Sequence, residues 1–246
     1  MSLVATILRV EGRLGAMQVM LNRREVTAIL GPNGAGKSTL LAALAGLHAQ
    51  PVTLDGRPLA DMPASLRARA IGYLPQSGEV AWNLSVETLA GLGRLPHRAG
   101  PNRTSPQQDR AAVDAALAAL DLTPLARRPL SRLSGGERAR ALLARVLAGQ
   151  PDWVLADEPL ASLDLAHQQA LLARFSMLAA NGQGVALVLH DLAHAMNHAH
   201  RVIVLDRGTL IATGHPETVL TPALIEQVWG LKSRWLGEPG ARALGF

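Results

Sequence analysis

Gly31-Pro32-Asn33-Gly34-Ala35-Gly36-Lys37-Ser38-Thr39 lies between an apolar run at 25–30 and an apolar helical pattern at 40–47. Its spacing is G-x-x-x-x-G-K-[ST], with Gly31, Gly36, Lys37 and Ser38 at the defining positions, and it demands a strand, a tight loop and then a helix. Gly34 and Gly36 let backbone N–H groups turn inward toward an anion, which a side chain with a Cβ would resist. A helix starting near Lys37 adds unpaired N–H groups and the positive end of its dipole to the same point. Lys37 would give a point charge to β- and γ-phosphates, and Ser38 a hydroxyl to Mg²⁺. Lys37 and Lys232 are the two lysines of a chain that otherwise uses arginine, so a lysine placed here is not filler.

The 246 residues can form one large domain, or a domain with a subdomain, and can bury a core. They contain no apolar run of about 18 residues, so no membrane span is expected. The first residues lack the charged-apolar-small progression of a secretory signal. The absence of cysteine excludes disulfides, thiolate metal sites and cysteine nucleophiles. Together these features favour the cytoplasm. The formal charge is +5, but the arginines are spread along the chain, which reads as a solvated surface. Aromatics at 3% offer little for base stacking, so nucleic acid is not an expected partner.

Short strands are expected at 3–10, 18–20, 52–54 and 71–74, with Asp55-Gly56 as a hairpin turn after the third and Gln76 in a loop just past the fourth. Residues 86–93, 107–120 and 135–147 carry helical spacing, and Ser105-Pro106-x-Gln108 supplies a cap. Apolar strands at 153–156, 185–189 and 202–205 alternate with helical patterns at 165–180 and 192–199. Continuous apolar strands of this kind indicate a parallel sheet covered on both faces. The expected architecture is therefore α/β: a nucleotide-binding core from 1–76 and 151–236, and a mainly helical insert at 77–150. Residues 237–246 read as a loosely held tail.

Asp157 and Glu158 follow the 153–156 strand, where open α/β sheets place ligands. Asp157 fits an acid holding Mg²⁺, and Glu158 one that polarises a water toward a γ-phosphate. At Leu133-Ser134-Gly135-Gly136-Glu137, the S-x-x-E capping box accounts for Ser134 and Glu137. It leaves unexplained two glycines in one helical turn, each disfavoured by about 1 kcal/mol. Bare backbone there would admit a second anion. His190, at another strand end, shares a layer with Lys37 and Asp157, whereas His194, His198 and His200 read as surface helix positions rather than a metal cluster.

In this order the residues resemble the nucleotide-binding subunits of ATP-binding cassette (ABC) transporters, across nearly the whole chain. GPNGAGKST resembles the Walker A motif, Gln76 the Q-loop glutamine, LSGGE the family signature and VLADE the Walker B strand. Ser162-Leu163-Asp164 is similar to the D-loop and His190 to the switch histidine. The resemblance implies a P-loop NTPase core with a mainly parallel sheet, a small antiparallel part and a helical subdomain. Its nucleotide-binding residues would be Gly31, Pro32, Asn33, Gly34, Ala35, Gly36, Lys37, Ser38 and Thr39. Mg²⁺ would be held by Ser38, Gln76 and Asp157, and Glu158, His190 and Gln76 would serve hydrolysis. It also implies a head-to-tail dimer in which Ser134, Gly135, Gly136 and Glu137 act on the partner copy's ATP, with Asp164 nearby. Permease subunits would dock near 76–95 on the cytoplasmic face of the membrane, served indirectly by a periplasmic substrate-binding protein.

Gly93-Arg94-Leu95-Pro96-His97 and the stretch after His190 look like importer subunits for iron-siderophores, haem and vitamin B12, the vitamin B12 group being the nearest likeness. The alternative is a soluble ABC ATPase serving as an assembly scaffold, for instance in iron-sulfur cluster building. In one departure, no aromatic precedes Tyr73, where relatives stack one on adenine. Arg13 is the expected substitute, since guanidinium planes stack. A second departure, Ala139 in place of glutamine, carries no expectation.

Overall fold

A computed structural model describes residues 2–76, 83–98 and 103–246. The first elements are two antiparallel strands, β1 (Ser2–Val10) and β2 (Leu14–Asn22). A register shift between Ala5 and Leu8 moves the side-chain phase by one residue, so Leu8 is buried while Ile7 is 67% exposed. β3 (Val26–Leu30) runs into the phosphate loop and α1 (Lys37–Leu44). β4 (Val52–Leu54) and β5 (Arg57–Pro58) make the expected hairpin, with Asp55 and Gly56 both at positive φ as its two-residue turn requires. β4 also pairs with β1, completing a small antiparallel sheet of order β2-β1-β4-β5.

α2 (Ala64–Ala70) and β6 (Ile71–Leu74) follow. α2 has no apolar stripe for periodicity to reveal, since Ala70 is its one buried residue. The helical insert holds α3 (Val86–Leu92), α4 (Pro106–Ala118) and α5 (Gly135–Ala148), packed on one another. Ser85, Ser105 and Ser134 cap them, the last two through complete capping boxes. The expected start of the insert at Ser77, and the part of the docking groove at 77–82, lie outside the described residues.

The remaining elements are β7 (Trp153–Asp157), α6 (Leu165–Ala180), β8 (Gly184–Val188), α7 (Leu192–His198), β9 (Arg201–Asp206), β10 (Thr209–Gly214), α8 (Pro216–Val219), α9 (Pro222–Trp229), β11 (Arg234–Leu236) and β12 (Ala243–Gly245). The large sheet runs β10-β9-β3-β8-β7-β6, parallel except at β10. Strand alternation sorts its apolar residues into two cores. Val154, Val185, Leu187 and Val202 join the face covered by the helical insert and α6. Trp153, Leu155, Ala186 and Ile203 join the face covered by α1 and the small sheet. Covering both faces is what makes these strands continuously apolar.

Three expectations need correction. Residues 237–246 are not loose: β12 pairs with β11, and Trp235 and Leu244 pack against the larger core, giving the hairpin an apolar anchor. Arg94 is no solvated arginine but 1% exposed, its guanidinium bonded to Asp109, the Ala148 carbonyl and Gln150. His200 lies beyond α7, and its Nδ1 accepts a hydrogen bond from Val26 N at 3.0 Å, which ties that loop to the start of β3.

Candidate functional site

β3, β6, β7 and β8 end side by side, so the residues after them gather along one edge of the sheet. After β3, Gly34 (φ +79°) and Gly36 (φ +94°) turn the loop. A Cβ at Gly34 would meet no atom within 4 Å, whereas one at Gly36 would collide with the Leu14 side chain. Gly34 thus keeps the loop open toward solvent, and Gly36 lets β2 approach from behind. No side chain caps α1, so its first-turn N–H groups remain available to an anion. Ala35 is buried in the core beneath, which anchors the loop.

Lys37 is 5% exposed and donates from Nζ to the carbonyls of Gly31 (2.9 Å) and Pro32 (3.0 Å). Burial lowers its pKa, against the opposing pull of Glu158 and Asp157. Two of the three ammonium donors are spent on the loop, so the charge is held in place with one donor to spare.

Asp157, the last residue of β7, is 3% exposed. Burial raises its carboxyl pKa, a hydrogen bond with Ser38 opposes that rise, and the charge of Glu158 adds to it. Its Oδ1 is buried with no hydrogen-bond partner among the described residues. A buried unpaired oxygen of this kind costs about 1–3 kcal/mol, so it points to a ligand-directed role. The next residue, Glu158, holds a left-handed backbone (φ +50°), unusual for a residue with a side chain. His190 Nε2 stands 2.7 Å from Glu158 Oε1.

A pocket of about 490 Å³ is lined by Asn33, Gly34, Lys37, Ser38, Thr39, Gln76, Glu158 and His190, together with Gly36, Gly12 and Arg13. Most residues expected at the phosphate site are thereby brought together. Gly12 is not among the expected site residues; it turns from β1 to β2 at φ +68°, and a glycine between two apolar runs is the signal that marks it. Arg13 is exposed at this pocket and enters no ion pair or side-chain hydrogen bond among the described residues.

The signature segment is elsewhere. Ser134 Oγ accepts from Glu137 N at 3.2 Å, and Glu137 Oε2 accepts from Ser134 N at 2.7 Å. A Cβ at Gly136 would lie 3.1 Å from the Ser162 carbonyl. Close packing on Ser162 therefore accounts for part of the glycine pair that anion access was expected to explain. Gly135 also lines a separate cleft of about 260 Å³ with Gln76, Asp157 and Glu158. Asp164 caps α6, accepting from His167 N (2.9 Å) and contacting His167 Nδ1 (2.8 Å), which lowers its pKa. Ser134, Gly136, Glu137 and Asp164 do not line the phosphate-loop pocket.

The ABC transporter family model matches residues 14–161. A hemin import ATP-binding protein, HmuV, of Myxococcus xanthus is 42% identical over 240 residues, covering 92% of this chain and 89% of the relative. Its Streptomyces coelicolor namesake is 43% identical over 234 residues, covering 94% and 82%. Among solved structures, an inward-facing ABC transporter assigned to the metal-chelate type superposes with a TM-score of 0.81 at 26% identity, covering 99% of this chain and 95% of the other. With a phosphate loop, a Walker B acid pair and a signature cap in a fold of this kind, the chain belongs to the ABC transporter family, as an ATP-binding subunit that hydrolyses ATP to power transport.

Proposed function

We propose that this subunit drives a haem importer, working as a head-to-tail pair of copies beneath separate permease subunits at the cytoplasmic face of the membrane. The carrying observation is that Lys37, Ser38, Glu158 and His190 converge on one pocket whose lining does not include Ser134 or Glu137. Ser134 and Gly135 are exposed, so the signature turn is free to meet another copy's nucleotide. Haem is favoured over vitamin B12 because the relatives described above bear the hemin import name. Among the described residues no helix is long and apolar enough to cross a membrane, so the cargo path is assigned to permease partners. A periplasmic substrate-binding protein would deliver the cargo to them.

ATP phosphates lie on the loop around Gly34 and the first turn of α1, with Lys37 as their fixed cation. The hard oxygen donors Ser38, Gln76 and Asp157 suit Mg²⁺, and the unpartnered Asp157 Oδ1 is a ready ligand. When bound, Mg²⁺ neutralises charge on the phosphate oxygens. Glu158 accepts a proton from the attacking water, and His190, at 2.7 Å, fixes the carboxylate's orientation. Arg13, free at the pocket mouth, stacks on the base in place of an aromatic, which predicts weak discrimination between ATP and GTP.

Reconstitution in liposomes with a permease that co-purifies with this chain tests the cargo assignment. Haem-dependent stimulation of ATP turnover is expected. Purification as a soluble complex without a membrane protein would favour the scaffold role instead.

A further inference from the structure

We infer that the β11–β12 hairpin is a positioning element for His190, acting through Asn197 on α7. The inference rests on the reading of Glu158 and His190 given above, and it gives a task to residues that reading does not use. His190 immediately precedes Asp191, whose Oδ1 accepts from Ala193 N (2.7 Å) and His194 N (3.1 Å) and so locks the start of α7. Near the other end of the same seven-residue helix stands Asn197. Its Nδ2 donates to the Arg242 carbonyl and its Oδ1 accepts from Arg242 N, both at 2.8 Å. Both halves of one amide are committed to a single backbone position 45 residues away.

The hairpin that receives this grip is itself fixed. Trp235 Nε1 donates to the Leu220 carbonyl at 2.6 Å, and Arg242 Nη1 to the Gly237 carbonyl at 2.7 Å. Arg242 Nη2 also lies 3.7 Å from Glu217 Oε1. Leu244 and Phe246, with Trp229 and Leu231, wall a pocket of about 350 Å³ whose facing wall is His190 and Asp191. The hairpin therefore bears on α7 at its far end and faces the His190 segment at the near one. A helix of this length spans about 10 Å and moves as one rod. Freeing its far end displaces His190 relative to Glu158, and a contact as short as theirs, 2.7 Å, does not survive a shift of about 1 Å.

Steady-state ATPase kinetics on full-length variants test this. Asn197→Ala is expected to lower kcat roughly tenfold while KM for ATP stays within about twofold. Trp235→Phe, which removes the Leu220 bond but keeps the apolar contact, should lower kcat in the same direction by about threefold, and it carries the test if Asn197→Ala does not fold. In a His190→Ala background neither change should cost anything further. Unchanged kcat, a loss confined to KM, or a fully multiplicative loss on top of His190→Ala would overturn the inference. Full activity of His190→Ala alone would instead overturn the underlying role of His190, a distinguishable failure.

Discussion

Asp157 and Asp109 are both buried acids, 3% and 7% exposed, and their surroundings differ in kind. In the helical insert, Asp109 accepts from Arg94 Nε (2.9 Å), Arg98 Nε (3.1 Å) and Thr104 Oγ1 (2.6 Å). Burial alone would raise its pKa, but these hydrogen bonds and the Arg94 charge outweigh burial and hold it at about 2. At the end of β7, Asp157 shares a hydrogen bond with Ser38, keeps one oxygen unpartnered and is pushed upward. An acid that builds the scaffold closes its bonds within the chain. An acid that serves a ligand is held rigidly with bonding capacity to spare, at a cost to stability that the surrounding sheet absorbs.

The contrast breaks most visibly in activity. Asp157→Asn should reduce ATP turnover on the order of 100-fold, yet leave the nucleotide-free protein as stable or more stable by up to about 1 kcal/mol. A loss of stability above about 2 kcal/mol by urea unfolding would make Asp157 a structural acid. Asp109→Asn should do the reverse, destabilising by about 3 kcal/mol because Arg94 is left buried without its counter-charge. Its effect on turnover should be small.

Acid titration sharpens the same comparison. Asp109 has a depressed pKa, so its contribution is present above its unfolded value of 3.8 and is lost as pH falls through about 2. Asp157 has a raised pKa, so it acts with the opposite sign: its penalty is absent below the unfolded value and grows as pH rises above it. Unfolding free energies from pH 5 to pH 2 should therefore fall for the wild type, more gently for Asp109→Asn and more steeply for Asp157→Asn. Parallel profiles for all three would refute the distinction.

The parallel sheet and phosphate loop were legible in the sequence because burial on both faces leaves strands such as β7 and β8 no polar interruption. The capping boxes of α4 and α5 were legible because their chemistry is local. Long-range polar pairs were not legible. Nothing in the sequence joins Arg94 to Asp109, or Asn197 to Arg242, since each pair is made by packing that composition does not encode. β2 read as a fragment because its exposed Gly15, Ala16 and Gln18 interrupt the apolar pattern, although its hydrogen bonds to β1 run its full length. At the candidate site, the phosphate loop and the signature turn were legible as two separate anion sites, because each carries its own glycine-rich helix start. The packing of Gly136 on the Ser162 carbonyl was not legible, and it shares the explanation that bare backbone for an anion was expected to supply alone.

In the proposed function a second copy brings its signature turn to this pocket, and the mass of the ATP-loaded Glu158→Gln variant tests that pairing most directly. By sedimentation with ATP and Mg²⁺, the variant is predicted to move from one 26.0 kDa chain to twice that mass, and adding Ser134→Arg should return it to one chain without loss of bound nucleotide. A Glu158→Gln protein that binds ATP yet stays at the mass of a single chain would contradict the account.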